Sequence, residues 1–181
     1  MTRIFVRRAE RGVSMVELMV VLAIAATLLA VAIPGFQSLI HRQRLTTTAN
    51  ALFMAVNLTR SEAIHRSTRV DLVPAGEGKS WKEGWVVFID ENGNQRPDAQ
   101  EKVIFTHDPV EGALAITPRF TDSKVQYIAF NGTGRTRTNA NSQTSQSGHW
   151  LLELGTQSRK VVINFLGRPR VCNPQDDASN C

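Results

Sequence analysis

The first pattern along the chain is an apolar run at residues 13–33, VSMVELMVVLAIAATLLAVAI, in which Glu17 is the only ionisable side chain. A run of that length at ~1.5 Å per residue spans about 30 Å as a helix, the thickness of a bilayer's hydrocarbon layer. Beyond Pro34, apolar residues recur at three- and four-residue steps: Phe36, Leu39, Ile40, then Ala49, Leu52, Phe53, Val56, Ala63 and Ile64. Arg42, Arg44, Asn50, Asn57 and Arg60 fall largely between them, which is the period of an amphipathic helix. The pattern predicts one helix over residues 13–66, on the order of 80 Å long and kinked at Pro34. Its Leu and Phe positions past residue 50 read as sheet-facing core.

Downstream the period shortens. Runs rich in β-formers at 69–73, 85–89, 102–106, 125–130, 150–154 and 160–165 are bounded by Gly, Pro, Asn and Asp, and read as strands. Several alternate, as Val125, Tyr127 and Ala129 do against Gln126, Ile128 and Phe130. The simplest arrangement is an α+β fold with one antiparallel sheet wrapped on the second half of the long helix. With 181 residues, 42% hydrophobic and two cysteines, the chain is neither collagen-like, disulfide-dense nor wholly disordered.

Charge sharpens this picture because it is unevenly placed. Of the formal net charge of +5, residues 1–12 carry +3, residues 13–118 carry −2 and residues 119–181 carry +4. Basic residues flanking an apolar span stay in the cytoplasm, so the remainder faces outward. A removable secretory signal offers a small-residue cleavage site after its apolar core. Here the apolar run continues to Pro34 and reads as a retained anchor. Glu17 inside that run costs roughly 2–3 kcal/mol unless a cation pairs with it. A cut after Gly12 supplies one, the new amine of Val13.

The stretch Gly12-Val13-Ser14-Met15-Val16-Glu17 behind a basic leader resembles the class III signal of type IV pilins and type II secretion pseudopilins. The resemblance implies cleavage after Gly12 and N-methylation of Val13 by a prepilin peptidase. It also implies that Glu17 neutralises an N-terminal amine during filament assembly, and it accounts for Pro34 at the twenty-second mature position. Val13 departs from the commoner Phe. Further along, Trp85-Val-Val-Phe-Ile-Asp90-Glu-Asn92-Gly-Asn94, Phe130-Asn-Gly132-Thr-Gly134 and Val162-Ile-Asn-Phe-Leu-Gly167-Arg168 are similar to the GspH/FimT family of minor pilins and pseudopilins.

The resemblance covers nearly the whole chain and implies a type IV pilin-like fold. In it, 1–12 is a leader, 13–34 a transmembrane and assembly helix, and 35–66 an amphipathic continuation. Residues 67–171 form the β-sheet domain, with a mobile loop at 131–148, and 172–181 a tail. The implied partners are other pilin or pseudopilin subunits, the prepilin peptidase and the inner membrane. The N-terminus would be cytoplasmic and the globular domain periplasmic, in a pilus or pseudopilus after assembly.

Two arginine clusters account for the basic last third. Gly134-Arg135-Thr136-Arg137 lies in residues 131–148, of which 12 are Ser, Thr, Asn or Gln, a composition that reads as a long loop. Gly167-Arg168-Pro169-Arg170 follows the last predicted strand. Pro169 biases Arg168 toward extended backbone, which puts the two arginines ~6.6–6.8 Å apart on one side of the chain. Two adjacent guanidinium forks suit phosphate oxygens. Gly-Arg-x-Arg here resembles the DNA-binding tail of FimT-type pilins used in natural transformation. It implies double-stranded DNA as a partner, held by Gly167, Arg168 and Arg170 with help from Arg135, Arg137 and Lys160. Gly-Arg at this place also occurs in secretion pseudopilins, and Asp176 and Asp177 oppose anion binding. The alternative is therefore a GspH-type pseudopilin with a structural role only.

Other candidate chemistry is thinner. Asp90, Asn92, Asn94, Asp98 and Glu101 have the spacing of a calcium loop, but Gln95 replaces its turn glycine, Pro97 follows, and a strand leads in. Asn92-Gly93 is also a hairpin-turn signal, so a solvated hairpin loop is the expectation and calcium the alternative. Gly78-Lys79-Ser80 lacks the earlier glycine of a phosphate loop, and the four histidines show no ligand spacing. No catalytic residue and no cofactor is assigned. Cys172 and Cys181, outside the cytoplasm, are expected to pair.

Overall fold

The computed structural model describes residues 12–110, 112–122, 126–138, 144–179 and 181. Residues 1–11 of the expected leader (1–12), Val125 and the middle of the expected loop (139–143) lie outside the described residues. The chain divides into two compact units, Met1–Ile40 and His41–Cys181, and helix α1, Met15–Arg66, supplies residues to both. In the first unit α1 begins beside Ser14, whose Oγ accepts the Glu17 amide at 3.2 Å. Leu18, Leu22, Leu29 and Phe36 are more than half exposed there. Its most apolar 18-residue window has a mean hydropathy of 2.7, long and apolar enough to cross a membrane.

In the second unit the helix buries Leu45, Ala49, Leu52, Val56, Thr59 and Ala63. These alternate steps of four and three, which places them on one face. Thr59 is tolerated there because its hydroxyl donates back to the Ala55 carbonyl at 2.6 Å. Among the described residues nine strands complete the unit. They are β1 Val70–Pro74, β2 Trp85–Phe88, β3 Val103–His107, β4 Ala115–Phe120, β5 Ile128–Phe130, β6 Thr136–Arg137, β7 Gly148–Leu154, β8 Gln157–Ile163 and β9 Pro169–Cys172.

The strands form two sheets where the sequence suggests one: a five-stranded sheet ordered β3-β2-β1-β5-β6 and a four-stranded sheet ordered β4-β7-β8-β9. All their pairings are antiparallel. Both sheets alternate. Val70, Leu72, Trp85, Val87, Ile128 and Phe130 of the first, and Ile116, Trp150, Leu152, Val161 and Ile163 of the second, join the helix face in one core. Trp150 anchors it, edge-on to Trp81 at 5.1 Å and to Phe120 at 4.9 Å. The opposite face of the first sheet is also covered, by Val73, Val86, Phe88, Tyr127 and Ala129 packed together. That second covered face is why Tyr127 and Ala129 are as buried as their neighbours despite the alternation.

Two further expectations are corrected. Residues 131–148 are not one long loop, because Thr136 and Arg137 pair with β5 and Thr136, Thr138 and Gln146 are buried. Thr136 can be buried here because its hydroxyl donates to the Gln146 carbonyl at 2.6 Å. The Gln146 side-chain amide has no hydrogen-bond partner among the described residues. Nor does Gly167-Arg168-Pro169-Arg170 follow the last strand, since Pro169 and Arg170 open β9. Proline is acceptable at that position because β9 is an edge strand and Pro169 is its first residue.

Candidate nucleic-acid interface

The site is organised by the turn between β8 and β9. The Asn164 carbonyl accepts the Gly167 amide at 2.9 Å, and its side-chain oxygen accepts the amides of Leu166 at 3.1 Å and Arg168 at 2.9 Å. Closing the ladder, the Asn164 amide donates to the Arg168 carbonyl at 3.3 Å. Gly167 takes φ +76°, the left-handed conformation that lets a type I turn rejoin its strand. A Cβ there would lie 2.6 Å from Cε1 of Phe130, so the residue is fixed by packing as well as by backbone angle. Arg168 and Arg170 leave this turn exposed on either side of the half-buried Pro169.

The β5–β6 turn repeats the device 33 positions earlier, as Asn-x-x-Gly-Arg-x-Arg from Asn131 to Arg137. The Gly134 amide reaches the Asn131 carbonyl at 2.8 Å, and the Asn131 side-chain oxygen accepts from Thr133 and Arg135 amides at 3.2 and 3.1 Å. Gly134 has φ +72°. The two turns touch: the Cβ that Gly167 lacks would meet the Gly134 carbonyl oxygen at 3.0 Å. That carbonyl also accepts from Nε of Arg60 on α1 at 3.0 Å. The asparagines were the missed signal; the arginine clusters stand out in the sequence, but the seven-residue repeat that sets their backbone does not.

The helper residues fare differently. Arg135 is exposed beside the turn. Arg137 is half-buried and donates through Nη1 to the Thr136 carbonyl at 2.8 Å and Ser145 Oγ at 3.1 Å. Lys160 is turned toward the tail, its Nζ 3.3 Å from the Cys181 carbonyl oxygen. The tail is held there by the Cys172–Cys181 disulfide, whose Cα atoms are 5.8 Å apart.

In the 90–101 loop the carboxylates are spent on the loop itself. Asp90 accepts the Gly93 amide at 2.7 Å and the Gln95 amide at 3.1 Å; Glu101 accepts those of Glu91 and Asp98, both at 3.0 Å. Asp98 takes the side-chain amides of Asn92 at 2.7 Å and Asn94 at 2.9 Å. Among the described residues no group of three or more His, Cys, Asp or Glu side chains could hold a metal ion. Asp90 is buried beside Asp71, which Arg69 grips through Nε at 2.7 Å and Nη2 at 2.8 Å. Burial pushes the Asp71 carboxyl up to about 7, with Arg69 opposing the rise and Asp90 adding to it. Ser14 caps α1, its Oγ accepting the backbone amide of Glu17, and Glu17 lies in the first turn, where a carboxylate meets the positive end of the helix.

A model of the type II transport protein GspH matches residues 48–167, from the middle of α1 through the β8–β9 turn. The chain belongs to the GspH family. The prokaryotic N-terminal methylation motif matches residues 7–33 of the same chain. The pilin-like protein PilA1 of Thermus thermophilus is 31% identical over 174 residues, covering 90% of this chain and 98% of that protein. Among solved structures, the type IV minor pilin FimU of Pseudomonas aeruginosa aligns at a TM-score of 0.54 and 18% identity, over 74% of this chain and 92% of FimU. A second crystal form of FimU gives 0.52 and 17%, over 72% and 94%. At such identities FimU speaks for the fold alone: a long N-terminal helix packed on antiparallel sheets. The family is that of GspH-like pseudopilins and pilin-like proteins, which assemble with other pilins, and the fold is the one FimU shows. A prepilin-type N-terminus with an apolar helix marks this member for membrane anchoring and incorporation in a pilus.

Proposed function

We propose that this GspH-family protein is a FimT-like minor pilin, built into or capping a pilus, that holds double-stranded DNA non-specifically through Arg168 and Arg170 for DNA uptake in natural transformation. The supporting observation is the β8–β9 turn. A hydrogen-bonded asparagine turn presents two exposed arginines from an ordered backbone, so little backbone ordering remains to oppose phosphate binding. Gly167 serves by building the turn, and Arg135, on the touching turn, adds a third cation. Arg137 and Lys160 would have to leave the partners they hold to take part. Contacts of this kind go to phosphates and carry no base readout, so binding is largely sequence-independent. With two or three contacts the affinity of one subunit is low, and several subunits in a filament raise it by avidity.

In this reading a prepilin peptidase at the inner membrane cuts after Gly12 and methylates Val13, Glu17 meets an N-terminal amine on assembly, and the globular unit is periplasmic. Mass spectrometry of the mature protein should find an N-methylated Val13 at its N-terminus; any other first residue overturns the processing scheme. The GspH match favours a second reading, a secretion pseudopilin with a structural role and no ligand. A gel-shift titration with duplex DNA separates the two. The pilin reading expects retardation by the wild type and its loss in the Arg168→Gln, Arg170→Gln double variant. No retardation by the wild type leaves the structural role.

A further inference from the structure

The four-stranded sheet has an outer face as well as an inner one, and strand register fixes what lies on it. Ile116, Phe120, Trp150, Leu152, Val161 and Ile163 point into the core. The residues between them therefore point away. Arg119 on β4 is opposite His149 on β7, His149 is opposite Val162 on β8, and Val162 is opposite Arg170 on β9. One row across all four strands thus runs Arg119, His149, Val162, Arg170, with both arginines exposed. At about 4.8 Å per strand the row is about 14 Å long. The next row holds Thr117, Leu151, Lys160 and Cys172, with the Cys181 carbonyl of the tail at Lys160. Within the four strands the nearest acid on this face, Glu153, is two rows from His149.

We infer that the row Arg119–His149–Val162–Arg170 is a continuation of the anion-binding site, so that a nucleic-acid phosphodiester backbone lies across the outer face of this sheet from the β8–β9 turn to β4. The inference rests on the DNA-binding reading above and extends it to residues that the family motif does not contain. Charge complementarity identifies the occupant. A duplex carries a phosphate charge every ~1.7 Å of axis, so a tract of about 14 Å meets the row with several negative charges. Between the cationic ends, His149 and Val162 are half-buried and neither carries a negative charge. Burial first, and then the positive charges of Lys160 and Arg119, hold His149 below its ordinary pKa. The second of these causes places two cations beside the row, which suits a phosphate.

The row is cryptic in the sequence because Arg119 and His149 are thirty positions apart and only β4–β7 pairing unites them. Arg119 also falls in a strand that the polar and proline-containing stretch 115–120 conceals.

The test is fluorescence anisotropy of the full-length chain in neutral detergent, titrated with a labelled duplex of mixed sequence at several salt concentrations. Arg119→Gln is compared with Lys82→Gln, which removes an equal charge from an exposed site on the turn before β2. Each lost phosphate contact makes the log–log salt slope shallower by about 0.9, so the affinity loss between about 50 and about 200 mM salt shrinks about 3.5-fold. That change is expected for Arg119→Gln and not for Lys82→Gln. Thr117→Lys, which adds a cation to the adjacent row, should strengthen binding. If Arg119→Gln and Lys82→Gln behave alike, the effect is net charge and the inference fails. If Arg168→Gln with Arg170→Gln weakens binding while Arg119→Gln does not, the row is overturned and the turn stands. If the wild type does not bind DNA, the reading beneath both is overturned.

Discussion

Gly167 shows why the glycine of the Gly-Arg-x-Arg stretch belongs with its arginines without touching a ligand. Its φ of +76° and the 2.6 Å approach of a would-be Cβ to Phe130 mean that any side chain strains the turn and displaces the core ring. Gly167→Ala should cost about 1–3 kcal/mol in a urea melt and weaken DNA binding along with it. Unchanged stability would show that the turn relaxes freely. Asp71 makes a second prediction at this scale. Its folded carboxyl is raised to about 7 from an ordinary 3.8, so between those values the folded chain keeps a proton that the unfolded chain has lost. The resulting stability is complete below about pH 4 and disappears as pH rises through about 7. Urea midpoints should therefore fall between about pH 5 and about pH 8, and Asp71→Asn should flatten the profile. An equally steep profile in the variant would assign the effect elsewhere.

Elements differ in how plainly the sequence announces them. The helix from Leu45 to Ala63 is legible because one buried face imposes steps of three and four over five turns. Strands β1, β2, β5, β7 and β8 are legible because each is interior to its sheet or loaded with Val, Ile, Trp and Phe. The strands that escape notice are β4, β6 and β9, and all three lie at sheet edges. An edge strand pairs on one side only, so it tolerates Pro118 and Pro169 and the polar Thr136-Arg137 pair that would disrupt an interior strand. The division into two sheets went unseen for the same reason, because β4 and β9 bound the second sheet. The candidate site was half legible: the arginines stand in plain view, but their placement depends on edge strands and on asparagine turns. Leu52, fully buried on α1, tests the core at this scale. Leu52→Ala should lower stability by about 2–5 kcal/mol, whereas Leu39→Ala, exposed in the first unit, should leave the urea midpoint of the globular unit unchanged.

For the whole molecule the decisive quantity is where charge and apolar surface lie, not their totals. The +3 of residues 1–12 belongs with the apolar first unit and the methylation motif; of the cations behind the +4 of residues 119–181, Arg119, Arg159, Lys160, Arg168 and Arg170 lie on the four-stranded sheet and its β8–β9 turn, and Arg135 and Arg137 at the β5–β6 edge of the other sheet. A filament subunit with one basic face can display that face repeatedly, so individually weak phosphate contacts add along the fibre. The account therefore stands or falls on whether the β8–β9 turn contacts phosphates. The measurement is the dependence of duplex affinity on salt for the wild type and for the Arg168→Gln, Arg170→Gln double variant. Two lost contacts should make the log–log slope shallower by about 1.8 and lower the affinity most at low salt. A double variant with the wild-type affinity and slope would contradict it.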